Sequence, residues 1–195
     1  MSFDQVLIKC GAPAFCGIKP ASLFSINIEY YGNEFEKLSE LSACFSGAGI
    51  FIVPIQKTEK RILLFVYNKK LLQQKCAKKE AVAYLKGKNY PVEKGFEAIL
   101  LELISRLLMN GNFPHEVGFF LGYPLEDVVQ FELNNGSGFK FCGDWKVYSN
   151  IESALVQMDE YATCRNYCST QLEKGVDIPQ AAENYKAYKN NLNLR

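Results

Sequence analysis

The chain has few of the residues from which the common metal and redox motifs are built. It holds one histidine among 195 residues, and its seven cysteines include no Cys-x-x-Cys pair. Zinc ribbons and thioredoxin-type motifs both need such a pair, so the sequence excludes them. The odd number of cysteines and their irregular spacing also argue against a disulfide framework. We therefore expect no metal site, because a zinc site would have to be assembled from scattered thiolates.

The sequence also lacks an excess of either charge and lacks long apolar runs. Its formal net charge is +1, so no overall field steers it toward nucleic acid or a membrane. The densest apolar stretches, ILLFVY and AILLELISRLLM, are shorter than the ~20 residues that span a bilayer. The first residues, MSFDQVLIKCG, do not follow the pattern of a signal peptide. We expect a cytoplasmic protein with neither membrane nor nucleic-acid partners.

What the chain does contain predicts one globular domain of the α-β class. Hydrophobic residues make up 48% and charged residues 22% of the sequence, which is ordinary for a folded protein. Strand-like and helix-like segments alternate, which favours an α+β or α/β domain with a mixed sheet of about five strands covered by helices. Residues 1–20 are predicted to be loop-rich because they contain Gly11, Pro13, Gly17 and Pro20. Residues 179–195 form a polar tail that has room for one more helix.

Several elements are predicted from apolar spacing and turn residues. Two apolar runs around QKTEK predict a β-hairpin, with Pro54 on an edge strand or at a bulge. Apolar residues at helical spacing predict a helix around residues 96–107. The other predicted elements are strands at 22–29, 116–122 and 139–149, a basic helix at 69–88, a helix after Pro124 and a long helix at 151–173.

His115 is the first candidate for chemistry. It lies between a helix and a predicted buried strand, so we expect it at one rim of the sheet, where ligands often bind. A neutral imidazole can act as a general base, but in an extended segment Glu116 points to the opposite face and cannot easily orient it. The alternative is that His115 caps the preceding helix or fills a surface notch. We expect the rim around His115, Glu116 and Tyr123 to lie near a ligand site.

The segment FKFCGDWKVYS offers a candidate nucleophile. Strict alternation places Phe139, Phe141, Trp145 and Val147 in the core and Lys140, Cys142, Asp144, Lys146 and Tyr148 on the opposite face. The ammonium groups of Lys140 and Lys146 would favour the nucleophilic thiolate of Cys142. A bulge at Gly143 would reverse one half of the pattern. The alternative is an unreactive, half-exposed thiol.

Two pairs of cysteines have different predicted roles. Cys10 and Cys16 bracket GAPAF in the predicted N-terminal loop, with Lys19 just beyond. These thiols could pair, help to hold a metal or simply pack, and the loop could cover a site. Cys164 and Cys168 lie one helical turn apart on the apolar face of the last long helix. There we expect them to pack as small hydrophobic residues.

The segment 69–88 carries seven lysines and one acidic residue, Glu80. Such a charge could bind an acidic protein partner, or it could be a solvated helical face. The segment has no arginine, and Tyr84 is its only aromatic residue, so base readout or base stacking is poorly supported.

Four motifs stand out in the sequence: FPHEVGFFLGYPLEDVVQF, NNGSGFKFCGDWKVYSN, GIKPASLF and YATCR. Together they resemble one family of proteins of unknown function, DUF3793, found in clostridia and related anaerobic Firmicutes. The resemblance covers most of residues 8–175, and residues 114–128 are its most specific part. It implies a cytoplasmic protein in an anaerobic, thiol-preserving cell. It brings no established activity, cofactor or catalytic residue.

These observations favour a protein that binds a small molecule or cofactor of unknown identity. An alternative is a thiol-dependent enzyme or redox protein with Cys142 as the nucleophile and His115 as the base. A third interpretation is a regulatory module that docks an acidic partner through the lysine-rich helix 69–88. The ligand-binding candidates are His115, Glu116, Tyr123, Lys19, Lys140, Lys146, Cys10 and Cys16.

Overall fold

The computed structural model describes residues 2–27, 34–57, 60–109 and 113–193, and it has a mixed α+β architecture. The helices are α1 (Phe3–Phe15), α2 (Phe35–Ser46), α3 (Lys69–Cys76), α4 (Lys79–Gly87), α5 (Phe96–Leu108), α6 (Val117–Phe120), α7 (Leu125–Leu133), α8 (Ile151–Glu173) and α9 (Ile178–Asn193), with a 3₁₀ turn at Val92–Lys94. The strands are β1 (Ala21–Asn27), β2 (Ile50–Lys57), β3 (Arg61–Asn68), β4 (Phe141–Cys142) and β5 (Lys146–Val147).

The strands form two separate antiparallel sheets of three and two strands, with the orders β1-β3-β2 and β4-β5. The predicted single mixed sheet of about five strands is therefore wrong. Residues 139–149 are not one strand, because the chain turns at Gly143–Trp145 and pairs Cys142 with Lys146. The predicted β2–β3 hairpin is confirmed. Pro54 lies on the edge strand β2 beside a register shift, as its missing N–H predicts.

The central strand β3 separates two hydrophobic cores, because successive side chains of a strand point to opposite faces. Ile62, Leu64 and Val66 belong to the first core, which they share with α1, α2, β1, β2, α8 and α9. Phe65 and Tyr67 belong to the second core, whose other members come from β1, β2, α3 to α7 and the segments between them. A smaller cluster joins Trp145 and Val147 to α8.

The predicted N-terminal loop is wrong, because residues 3–15 form α1. The helix begins with a capping box in which the side chains of Ser2 and Gln5 bond each other's backbone N–H groups. Pro13 lies in its last turn, and Gly17 leaves the helix with a φ of 71°. The helix is stable because its apolar face, including Leu7 and Phe15, is fully buried in the first core.

Two other predicted elements differ in the structure, whereas the C-terminal tail forms the further helix for which it has room. The predicted strand 116–122 is the short helix α6, although its apolar side chains are buried as expected. The basic segment 69–88 is two helices, α3 and α4, rather than one. The C-terminal tail forms α9, which buries Ala181, Ala182 and Tyr185. The long helix α8 has its predicted bounds. Strand β1 begins at residue 21, one position before the predicted 22–29, and the last two predicted positions lie outside the described residues.

None of the helices in the described residues has both the length and the apolar content that a bilayer crossing requires.

Candidate functional site

A cavity of about 430 Å³ lies between α6, α7 and the β4–β5 hairpin. This volume is within the range of small-molecule sites. Its walls are mainly apolar, with a few polar groups at the edge. We call it the aromatic pocket and define it by His115, Tyr123, Phe131, Cys142, Trp145 and Lys146.

Asp127, in the first turn of α7, fixes the hairpin wall of the pocket. Its side chain is 1% exposed, and Oδ2 accepts a hydrogen bond of 2.8 Å from Trp145 Nε1. Oδ1 accepts hydrogen bonds of 2.9 and 2.8 Å from the backbone N–H groups of Tyr148 and Ser149. Burial alone would raise the pKa of Asp127, but these hydrogen bonds outweigh burial and lower it. Trp145 and the strand after it are therefore held in one position.

Tyr123 lines the pocket beside Trp145. Its ring stacks on Trp145, with 5.1 Å between ring centroids and 21° between planes. Its hydroxyl donates to the carbonyl of Asp144, and its carbonyl accepts from Lys75 Nζ at 3.0 Å. Lys19 Nζ lies 5.7 Å from the ring centroid, and burial lowers the pKa of Lys19 to about 8 despite the nearby Asp144 carboxylate. Tyr123 and Trp145 therefore form a rigid aromatic surface.

The other pocket groups supply polarity. The imidazole of His115 meets the ring of Phe131 edge-on at 5.2 Å. Lys146 Nζ donates to the carbonyl of Gly136 at 2.7 Å and lies 5.6 Å from the Phe131 centroid. Cys142 is exposed at the pocket margin. The pocket therefore combines an imidazole, an ammonium and a thiol with the aromatic rings of Tyr123, Phe131 and Trp145.

The structure brings four of the residues selected from the sequence into one pocket: His115, Tyr123, Cys142 and Lys146. Lys19 contacts this group through the ring of Tyr123, with 5.7 Å between Nζ and the ring centroid. Sequence reasoning missed Phe131 and assigned Trp145 to the core alone. Trp145 is 6% exposed, so burial was predicted correctly, but it also lines the cavity. Lys140 is turned to the carbonyl of Ser149, where it bridges the two ends of the hairpin.

Glu116 is not among the residues that line the pocket, and the described contacts of its carboxylate are with other side chains of the protein. It is 7% exposed, and its Oε1 accepts from Arg106 Nη1 at 2.9 Å and from the Tyr90 hydroxyl at 3.3 Å. Arg106 also donates to the side chain of Glu102 and to the carbonyl of Lys88. This network joins α5 to the start of α6 and so sets the position of the neighbouring His115.

Cys10 and Cys16 do not bracket a loop, because Cys10 lies within α1 and Cys16 is the C-cap of the same helix. Six residues of an α-helix separate two side chains by about 120° around its axis. Cys10 is half-buried, whereas Cys16 is buried beside Cys164 and Cys168. The Sγ atoms of Cys16 and Cys168 are 3.5 Å apart, and all three Sγ atoms lie within 4.8 Å of one another. We call these three residues the thiol cluster.

The thiols of the cluster influence one another's titration. Hydrogen bonds with Cys16 and Cys164 lower the pKa of Cys168, and hydrogen bonds with its two neighbours raise the pKa of Cys164. The prediction that Cys164 and Cys168 are buried is confirmed. Their approach to Cys16 is not visible in the sequence, since Cys16 and Cys168 are 152 residues apart.

Part of the positive charge of residues 69–88 is neutralised by neighbouring segments. Lys75 is turned inward to the carbonyl of Tyr123 and lies 4.8 Å from the Phe119 ring centroid. Ion pairs join Lys69 to Glu97, Lys86 to Glu93 and Lys88 to Glu132. The exposed positive surface is therefore smaller than the sequence suggests.

No curated protein and no solved structure matches the chain. A family model described as "Protein of unknown function (DUF3793)" matches residues 7–182, which include most of α1, both sheets, α8 and the whole of the aromatic pocket. The chain therefore belongs to the DUF3793 family.

Proposed function

We propose that the protein binds a small planar molecule in the aromatic pocket. The stacked pair of Tyr123 and Trp145 carries this proposal, because it forms a flat apolar surface at a cavity of about 430 Å³. Aromatic rings bind other flat rings by offset stacking, at a gain of about 0.5–1.5 kcal/mol beyond area burial. A surface already fixed by Asp127 and Lys75 also loses little entropy when a ligand binds.

The charges around the pocket favour a ligand with an acidic group. The carboxylate of Asp127 is occupied by three N–H donors, and Asp144 pairs with Arg165 at 3.0 Å. Lys146 uses one donor on the carbonyl of Gly136, and an ammonium has three donors. Lys146 is therefore able to bind a ligand oxygen. We expect a planar heteroaromatic acid as the ligand class.

Fluorescence of Trp145 tests this proposal directly, because the chain has one tryptophan. We expect planar heteroaromatic carboxylates, screened one at a time, to include compounds that change Trp145 emission saturably. Cys142→Phe places a ring at the pocket margin and should weaken binding at least about tenfold, which is about 1.4 kcal/mol. Cys44→Phe is the matched control, because Cys44 is also an exposed cysteine but lies on α2. Absence of saturable change, or equal affinity in both variants, would contradict the proposal.

A second candidate function is thiol-dependent catalysis. The observation that favours it is that Cys142 and His115, which were selected from separate segments, line the same cavity. A nucleophilic thiol needs a neighbouring base and access to substrate. In this mechanism His115 would take the proton of Cys142, and Trp145 and Tyr123 would hold the substrate.

Timed alkylation at neutral pH separates this candidate from simple binding. An activated Cys142 should react at least about tenfold faster than Cys44, because the thiolate is the reactive form. His115→Gln should remove that difference if the imidazole is the base. Peptide mass spectrometry gives both rates in the same sample. Similar rates for the two exposed thiols would exclude an activated Cys142.

A further inference from the structure

We propose that Cys16, Cys164 and Cys168 form a binding site for one thiophilic metal ion of the zinc and copper(I) class. The site is separate from the aromatic pocket, since its three residues belong to the first core and do not line that cavity. The inference therefore does not depend on the proposed ligand.

The spacing of the three sulphur atoms fits a single ion. A metal at ~2.3 Å from each sulphur separates the sulphurs by about 3.8 Å in tetrahedral geometry and about 4.0 Å in trigonal geometry. The observed Sγ–Sγ distance between Cys16 and Cys168 is 3.5 Å, and all three Sγ atoms lie within 4.8 Å. Small side-chain rotations bring such atoms to metal-bonding distance. An iron–sulfur cluster would require three cysteines to bind at least two different iron atoms, which needs wider spacing.

The fold holds the three thiols on regular backbone. Cys164 and Cys168 are one turn apart on α8, so both side chains project from the same face. Cys16 is the C-cap of α1, and its N–H donates to the carbonyl of Ala12 at 2.8 Å. Helices α1 and α8 pack against each other. The site is preorganised, because none of its ligands depends on a loop.

The donor set selects the class of ion. Within the described residues, the group of closely spaced ligand atoms contains three thiols and no carboxylate or imidazole. Thiolates prefer soft ions such as Cu⁺ and Zn²⁺ over Mg²⁺ or Ca²⁺. Cys16 also lines a surface cleft of about 600 Å³ together with Lys70 and Tyr185. This cleft gives an ion a route to the cluster and leaves room for water as a fourth ligand.

Titration of the reduced full chain with Cd²⁺ under anaerobic conditions tests the site. We expect one Cd²⁺ per chain and an ultraviolet thiolate-to-metal charge-transfer band. Loss of a residue that only supports a metal ligand typically weakens metal binding 10- to 100-fold. The variants Cys16→Ser, Cys164→Ser and Cys168→Ser each lose a ligand itself, so each should weaken Cd²⁺ binding by at least that factor. Cys76→Ser is the matched control, because Cys76 is equally buried but lies in the second core. It should bind Cd²⁺ as the wild type does.

X-ray absorption of the Zn²⁺-loaded wild type provides a measurement that needs no folded variant. We expect three sulphur neighbours at about 2.3 Å. Fewer sulphurs, or equal loss of binding in Cys76→Ser, would overturn the proposal. A third outcome would also overturn it: the reduced chain binds no Cd²⁺, and mild oxidation forms a Cys16–Cys168 disulfide. The cluster would then be a redox pair and not a metal site.

Discussion

Asp127→Ala is expected to lower the free energy of unfolding by about 3–5 kcal/mol and to abolish ligand binding in the aromatic pocket. The carboxylate of Asp127 accepts hydrogen bonds from Trp145 Nε1 and from the backbone of Tyr148 and Ser149. Alanine leaves the first two of these donors buried without a partner, and each such donor costs about 1–3 kcal/mol. The β4–β5 hairpin then loses its attachment to α7. Urea unfolding followed by circular dichroism measures the change.

The same residue has a predictable pH dependence. Because the pKa of Asp127 is lower in the folded protein than its usual 3.8, its contribution to stability is complete above the unfolded value and is lost as the pH falls through the folded value. The difference in stability between the wild type and Asp127→Asn should therefore shrink as the pH is lowered from about 6 to about 2. Asp159→Ala, an exposed acid on α8, is the control and should change stability by less than about 0.5 kcal/mol. A constant difference across this pH range would contradict the assigned role.

Arg106→Ala is expected to cost a similar amount, about 3–5 kcal/mol, because it leaves the buried carboxylate of Glu116 without its cation. Arg106 Nη1 donates to Glu116 Oε1 at 2.9 Å, and its guanidinium carbon lies 4.1 Å from the ring centroid of Tyr90. After the substitution, Glu116 retains only the hydroxyl of Tyr90 among these partners. Chemical unfolding at neutral pH measures the loss.

A double variant distinguishes loss of the ion pair from simple loss of packing. In Arg106→Leu/Glu116→Leu both charges are replaced by apolar groups, which is often near neutral for buried pairs. We therefore expect the double variant to be more stable than Arg106→Ala. A double variant as unstable as the sum of its two single variants would show that the charges do not act as a pair.

The parts of the fold that could be predicted have regular apolar spacing or clearly marked ends. Apolar spacing predicts α5, and two apolar runs around a polar turn predict the β2–β3 hairpin. Helix α8 is a long segment without glycine or proline that ends just before Gly175. Residues 117–120 were assigned to a strand because a short apolar run is equally compatible with a buried helix. For α1, Gly11 and Pro13 suggested a loop, whereas burial of the helix face in the first core decides its structure.

The candidate sites depend on contacts that no local pattern contains. Alternation along residues 139–149 would have placed Cys142 and Trp145 on opposite faces of one strand, but the turn at Gly143 lets both line the same cavity. His115 lines the same cavity with its ring 5.2 Å from that of Phe131 on α7, a contact that no local pattern shows. The thiol cluster needs α1 to pack on α8, and the sequence offered only the helical spacing of Cys164 and Cys168 as a signal.

The division into two cores has a consequence for how the chain is synthesised and folded. All members of the second core lie within residues 21–128, whereas the first core joins residues 3–66 to residues 164–185. A growing chain can therefore bury the second core before α8 and α9 leave the ribosome. Until then the face of β3 that carries Ile62, Leu64 and Val66 lacks its cover from these two helices. That apolar surface can promote aggregation of the incomplete chain until the last two helices cover it.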